Sequence, residues 1–172
     1  FLNEMRLVKS EYEISRMREA AQISADAHEF VRANLEFKHN ERQLQGLIEG
    51  FFLEKGARGP AYNSIVASGD NACVLHYTSN NSDLKKGELV LIDAGCSLTD
   101  YYNGDITRTF PIGGKFSGEQ RALYEIVLEA QKNAINNAVA GVDSNHIHYA
   151  ALKVLIAGLK DLKLLKGDTE GI

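Results

Sequence analysis

The sequence predicts an α+β fold: two helices, a block of antiparallel strands, then two more helices. Helical apolar periods occupy both ends of the chain. The middle, about 62–110, changes to short β-prone runs separated by turn residues. The strand–helix alternation of a parallel doubly wound sheet does not occur. With 172 residues the chain can build one sizeable core, or half of a larger domain.

Ser10 with Glu13 three residues later forms a capping box, and Ile14, Met17, Ala21, Ala25, His28, Val31 and Leu35 follow at helical spacing. A helix is therefore expected over 11–34. Asn40 and Gln43 repeat the capping signal before Leu44, Leu47, Ile48, Phe51 and Phe52, and Gly56 ends that helix. Gly46 and Gly50 lower its propensity, so they mark places where another element could approach closely. Tyr62 to Ala67 and Ala72 to Leu75 are expected to be strands around the turn Ser68-Gly69-Asp70-Asn71. A further turn, Asp83 to Gly87, leads to a strand over 88–93. The polar segment 94–104 then leads to a strand over 105–110 that ends at Pro111. Ser117 with Gln120 opens a helix to about Ala140, and a last helix from about Ser144 presents Ile147, Ala151, Val154 and Leu155. No internal repeat, linker or low-complexity tract is present.

Composition narrows the function classes. Hydrophobic residues make up 44% and charged residues 24%, with a formal charge of −4. No Lys/Arg stripe is available to neutralise a run of phosphates, so a nucleic-acid partner is not expected. No stretch approaches 18 uncharged apolar residues, so no membrane span is expected. The start, Phe1-Leu2-Asn3-Glu4, lacks an initiator Met and a basic signal region, and is taken as the cut end of a longer chain. Cys73 and Cys96 are expected to be buried free thiols of a reducing, cytoplasmic compartment rather than a disulfide.

The chemistry centres on Asp93, which closes the apolar run Leu89-Val90-Leu91-Ile92, and Asp105, which opens Ile106-Thr107-Arg108-Thr109-Phe110. At period two, Leu89, Leu91 and Asp93 share one face, and Asp105, Thr107 and Thr109 share one on the next strand. In a hairpin, both carboxylates would sit side by side at its open end, where they suit a hard divalent cation. The alternative is that Asp93 starts a turn and Asp105 caps a strand. His76 follows the buried-looking Cys73-Val74-Leu75. It is placed either to donate to a carbonyl or tetrahedral oxygen in a cleft, or to bond to its own loop. Tyr62 and Asn63 either line a pocket or, for the aromatic, pack on the helices. His146 and His148 are two apart and suit a helix surface, and His28 and His39 are ordinary. Cys96 is too soft for a hard-metal site and suits packing. No phosphate loop, His-Glu-x-x-His or nucleophile elbow occurs.

Four segments share a family resemblance: Tyr62-Asn63-Ser64-Ile65-Val66-Ala67-Ser68-Gly69-Asp70-Asn71-Ala72-Cys73-Val74-Leu75-His76-Tyr77-Thr78, Leu91-Ile92-Asp93-Ala94-Gly95-Cys96, Gly104-Asp105-Ile106-Thr107-Arg108-Thr109-Phe110-Pro111 and Gly114-Lys115-Phe116-Ser117. Together they closely resemble the pita-bread metallopeptidases, and within them the Xaa-Pro aminopeptidase (aminopeptidase P) branch. The likeness runs from the first helix to Lys166-Gly167-Asp168. It implies two divalent ions, usually Mn2+, held by two aspartates, a histidine and two glutamates, with a bridging water that attacks the peptide carbonyl. Asp93 would bind one metal and Asp105 would bridge both. His76 would assist at the substrate and its tetrahedral intermediate, and Tyr62 would lie in the pocket lining. The implied substrate is a peptide with proline second, and the protein is a possible homo-oligomer.

Two departures stand out. The step from Asp93 to Asp105 is twelve, one longer than is usual in the family, and the extra residue is expected in the loop Ser97 to Asn103 rather than in a strand. The remaining ligands belong to a C-terminal half of the family's domain that this sequence does not contain. Residues 1–172 are thus expected to be the first half of a pita-bread domain, with little or no peptidase activity alone and an unpaired strand edge. An Xaa-Pro dipeptidase shares the aspartate motifs and remains an alternative, as does a non-catalytic pita-bread binding domain, although such domains typically lose ligands. The Ile-Val-Ala-Ser-Gly-Asp-Asn and Leu-His-Tyr-Thr segments favour the proline-specific branch over methionine aminopeptidase.

Overall fold

The computed structural model describes residues 1–167, with only the backbone at Phe37, so Asp168 at the end of the resemblance lies outside the described residues. The elements in order are α1 (Leu2–Leu7), α2 (Glu11–Asn34), α3 (Glu41–Glu54), β1 (Gly59–Pro60), β2 (Ile65–Ser68), β3 (Leu89–Ala94), β4 (Cys96–Ser97), β5 (Ile106–Pro111), α4 (Gly118–Asn137) and α5 (Ser144–Asp161). The chain divides into two compact units, Phe1–Lys115 and the part from Phe116 onward. The expected order of two helices, a strand block and two helices is present, with α1, β1 and β4 as unforeseen additions.

In the first unit the sheet order is β2-β3-β5, with β3 antiparallel to both neighbours. β3 alternates strictly: Val90, Ile92 and Ala94 are buried, whereas Leu89, Leu91 and Asp93 are half-buried on the other face. The β3–β5 register is unbroken from Leu89↔Pro111 to Ala94↔Ile106, so no bulge interrupts it. The intervening segment contains a tight turn in which Leu98 N donates to Tyr102 O and Tyr101 N donates to Leu98 O. It also contains β4, which pairs with β1. The expected strand over Ala72 to Leu75 does not form. Gly69–Cys73 coil into a 3-10 helix instead, because the polar run from Ser68 is drawn toward α3 by side-chain hydrogen bonds.

The capping box of Ser10 and Glu13 forms as expected, and α2 has the expected length. Its buried stripe differs, however. Ala20, Ser24, Ala27, His28 and Val31 face inward, while Met17 and Ala21 are exposed. Small residues win this face because the helix must lie almost on backbone. A Cβ on Gly104 would come within 2.2 Å of Ser24 Oγ and 2.8 Å of Ala20 O. Asn40 caps α3 through Arg42 N, but Gln43 bonds back to His39 N rather than to Asn40, so the predicted box is displaced by one residue. Leu44, Ile48 and Phe52 form its fully buried face, each worth about 1.5–3 kcal/mol of apolar burial. Nothing approaches within 4 Å of where a Cβ on Gly46 or Gly50 would lie, so the expected close approach is absent at both.

Glu41, the first residue of α3, is fully buried and accepts from Ser68 N, Ser68 Oγ, Asn71 Nδ2, Tyr77 OH and Ser82 N, at 2.8–3.0 Å. Burial works against its charge, but the donors from Asn71, Ser68 and Ser82 prevail and hold its pKa below the usual glutamate value. Asn80, also buried, accepts from Val66 N and donates to Ser64 O and Gln45 Oε1.

In the second unit, Ser117 and Gln120 form the predicted capping box, and Asp143 caps α5 through Asn145 N. The two helices run antiparallel, with Gly158 against Ile126 and Asn133 Nδ2 donating to Ala150 O. Among the described residues, no helix is long and apolar enough to cross a membrane.

Two glycines in the first unit are expected to respond oppositely to alanine. A Cβ on Gly95 would lie 1.8 Å from Gly104 O, so Gly95→Ala should destabilise by about 3 kcal/mol or more in urea unfolding. Gly46→Ala adds a methyl to open space in a helix interior and should stabilise by about 1 kcal/mol.

A second prediction concerns Asp100, which receives Arg16 Nε at 2.7 Å and Tyr12 OH at 2.7 Å and so ties the β4–β5 connection to α2. Those two donors hold its pKa down to about 2 from an ordinary 3.8. A depressed carboxylate stabilises above its unfolded value and loses that contribution as pH falls toward the folded value. The melting-temperature gap between the protein and Asp100→Asn should therefore be full at pH 6 and narrow between about pH 4 and pH 2.

Candidate metal centre

Pairing places Asp93 opposite Thr107, and Asp105 lies two residues before Thr107 on the same face. The carboxylates are therefore diagonal neighbours across β3 and the start of β5. They lie at the looped end of this hairpin rather than its open end, because the chain passes from Ala94 to Ile106 through β4 and its turn.

The connection is compact for a steric reason. Gly95 and Gly104 bring their backbones together where any Cβ would overlap. Gly95 O accepts from Ala61 N at 2.8 Å, and Cys96 O accepts from Gly104 N at 2.9 Å. Ala61 precedes Tyr62, so one crossing sets both Asp105 and Tyr62 beside Asp93.

Tyr62 does not pack on the helices. Its hydroxyl lies 2.7 Å from Asp93 Oδ1 and 2.9 Å from Asp105 Oδ1. Burial, reinforced by hydrogen bonds to Asp93 and Asp105, pushes the phenol pKa well up, so the hydroxyl keeps its proton. A phenol has one proton and can donate to only one of these oxygens at a time. The other carboxylate then faces oxygen lone pairs, an arrangement relieved by a shared proton or a cation. Hard oxygen donors on one face suit a divalent metal of the magnesium–manganese type, so these side chains fit such an ion. Among the described residues, no group of three or more His, Cys, Asp and Glu could hold a metal, and the donors assembled at this point are the two aspartates.

A cleft of about 380 Å3 is lined by Tyr62, Asn63, Ile65, His76, Thr78, Asp93 and Asp105. It brings together every candidate side chain that the sequence singled out. His76 reaches it from an exposed turn with φ of 54°, a left-handed conformation that costs a non-glycine residue about 1–2 kcal/mol. Strain of this kind recurs at functional sites. The residues before it are not buried as expected: Val74 is 55% and Leu75 85% exposed, since the segment forms a turn and not a core strand.

Cys73 is exposed, contrary to expectation, whereas Cys96 is buried against Ala20 O and both thiols are free. Burial pushes the Cys96 thiol pKa up, as suits a packing residue. His146, His148 and His39 are exposed, as surface residues should be. His28 is not ordinary. It is 2% exposed, its Nε2 lies 3.1 Å from Ala94 O beside Asp93, and burial lowers its pKa. Its place on the helical stripe with Val31 was the sequence signal for burial; the contact with β3 had none. Thr78 and Ile65 also line the cleft without having been singled out, although Ile65 pairs with Asp93.

Known proteins agree with this architecture. The sequence pattern of metallopeptidase family M24 matches residues 15–167. An Xaa-Pro aminopeptidase of Haemophilus influenzae is 47% identical over 169 residues, covering 98% of this chain and 39% of the relative. A variant of Escherichia coli aminopeptidase P, solved in complex with substrate, superposes with a TM-score of 0.92 at 43% identity, covering 95% of this chain and 37% of that one. Pseudomonas aeruginosa aminopeptidase PepP gives a TM-score of 0.88 at 48% identity, with the same coverage of 95% and 37%. This chain thus spans less than two fifths of the length of these relatives. The family pattern covers nearly all of it, and the chain belongs to metallopeptidase family M24, with the α+β pita-bread fold.

Proposed function

We propose that this chain carries the aspartate half of a two-metal site in a peptidase that releases the N-terminal residue preceding proline. The observation that carries the reading is the single Tyr62 hydroxyl set between Asp93 and Asp105 at 2.7 and 2.9 Å, a pair of contacts that one proton cannot serve. Asp93 and Asp105 would contribute carboxylate ligands to two divalent ions, Mn2+ by preference. Bound there, such ions supply Lewis acidity and a water of lowered pKa. Tyr62 donates to Asp93 and orients its carboxylate, as partners outside a ligand shell do. His76 presents an imidazole N–H to the oxygen of the scissile carbonyl as charge gathers on it. The names of the similar proteins, Xaa-Pro aminopeptidase and aminopeptidase P, support the substrate class. Residues 1–172 are read as the first half of the catalytic domain, so hydrolysis belongs to the protein at its natural length and metal binding by this chain alone is weak.

The natural-length protein with Mn2+ should cleave a tripeptide with proline second at the bond before proline, and EDTA should abolish this. Asp93→Asn and Asp105→Asn should each lower kcat/KM by about 10³-fold or more, a loss of several kcal/mol in the transition state. His76→Ala should lower kcat by about 10²-fold, the loss of one oxygen-stabilising donor. Free Mn2+ followed by electron paramagnetic resonance should be depleted by the protein and restored by either aspartate variant. Cleavage of Xaa-Pro dipeptides alone would reassign the site to a dipeptidase. Metal uptake indifferent to both variants would rule out this centre.

A further inference from the structure

Glu41 is a fully buried carboxylate distant in sequence from the residues lining the cleft, and its hydrogen bonds converge on the segment that carries His76. Oε1 accepts from Ser68 N at 2.8 Å, Ser68 Oγ at 2.8 Å and Asn71 Nδ2 at 3.0 Å, which lie on the arm entering the turn. Oε2 accepts from Tyr77 OH at 2.8 Å and Ser82 N at 2.9 Å, on the arm leaving it. The two oxygens of one side chain therefore hold both arms. Neighbouring residues at the start of α3 reinforce the second arm: Asn40 Nδ2 donates to Asn81 O, Arg42 Nη2 donates to Ser79 O, and Glu41 N donates to Ser82 O.

Apolar packing does not fix this turn, because Val74 and Leu75 at its tip point to solvent. Yet His76 sits in a left-handed conformation that an unconstrained histidine would leave. Something must hold the turn, and the charge-assisted hydrogen bonds to a buried carboxylate at a helix N-terminus are the strongest polar contacts made by the segment.

We propose that Glu41 is a positioning residue for His76: its carboxylate clamps the two arms of segment 68–82 and thereby fixes the strained turn that presents the imidazole to the cleft. This rests on His76 acting on substrate as proposed above.

The test is Glu41→Gln, which keeps shape but replaces an acceptor oxygen with an amide that faces donors. Amide hydrogen exchange across 69–82 should accelerate by at least about tenfold while exchange in β3 stays unchanged, the signature of one lost charged clamp. Cys96 should stay unreactive toward a thiol reagent, reporting an intact core. In the natural-length enzyme kcat should fall about 10- to 100-fold with KM little altered, as a misplaced catalytic group gives. On a His76→Ala background, Glu41→Gln should cause no further fall in kcat. Unchanged exchange in 69–82, or a full further fall on that background, would overturn the proposal. If Glu41→Gln does not fold, Tyr77→Phe removes one donor from the same carboxylate, and exchange should then accelerate over 77–82; unchanged exchange there would overturn the clamp. A His76→Ala enzyme with normal kcat would overturn the role of His76 itself. A slow His76→Ala enzyme beside a normal Glu41→Gln enzyme would overturn the clamp alone.

Discussion

The first unit depends on one backbone-on-backbone crossing, Gly95 over Gly104, lying under the small-residue face of α2. Neither residue has room for a Cβ, since Gly104 O and Ser24 Oγ occupy those positions. Ser24 completes the joint by accepting from Cys96 N and donating to Ala20 O, so its buried hydroxyl is satisfied on both sides. From this joint β3 and β5 run out in a fixed register, and Ala61 is drawn in through Gly95 O. Asp93, Asp105 and Tyr62 converge because of where the backbones cross, not because of attraction among themselves. Two carboxylates would otherwise move apart.

The two sides of the cleft are held by different physics. Asp93 stands on a strand whose other face is packed core, where displacement would open cavities beside Val90, Ile92 and Ala94, and Asp105 immediately precedes the strand paired to it. His76 stands on a turn with little apolar burial, held by polar contacts to the start of α3. A charge as deeply buried as that of Glu41 is tolerated only with a full set of donors, and the segment 68–82 supplies them. Packing gives a rigid frame for groups that must stay fixed, and a hydrogen-bonded loop gives a local element that can adjust without disturbing it.

Much of this was legible in the sequence. The helices showed through their caps and periods, and Asp93 and Asp105 through their positions at the ends of strand-like runs. The resemblance carried by segments 62–78, 91–96 and 104–111 supplied the fold and the role proposed for His76. What escaped was non-local. The face of α2 was misjudged at Met17 and Ala21 because apolarity at helical spacing does not reveal that the neighbour is bare backbone, which selects alanine and serine. Ala72 to Leu75 looked like a strand because β propensity is local, whereas a carboxylate thirty residues earlier draws the segment into a turn. The same blindness left Glu41 unremarked and made His28 look like one more position on a stripe. Tyr62 could have packed or lined a pocket on sequence grounds; the contact of Ala61 N with Gly95 O and the pairing of Ile65 with Asp93, both non-local, bring its hydroxyl to the aspartates.

The strict alternation of β3 has a genetic corollary. Each residue there is committed to one side of the sheet, so gaining or losing a single codon within 89–94 would turn Asp93 toward the helices and send Ile92 outward. Substitution can explore that strand, but a change of length cannot. The turn at Leu98–Tyr102 lies beyond the glycine crossing, and an added residue there leaves the register of β3 and β5 untouched. Descendants of this gene are thus free to drift in size at one point between the two aspartates and held to a constant count everywhere else along that path.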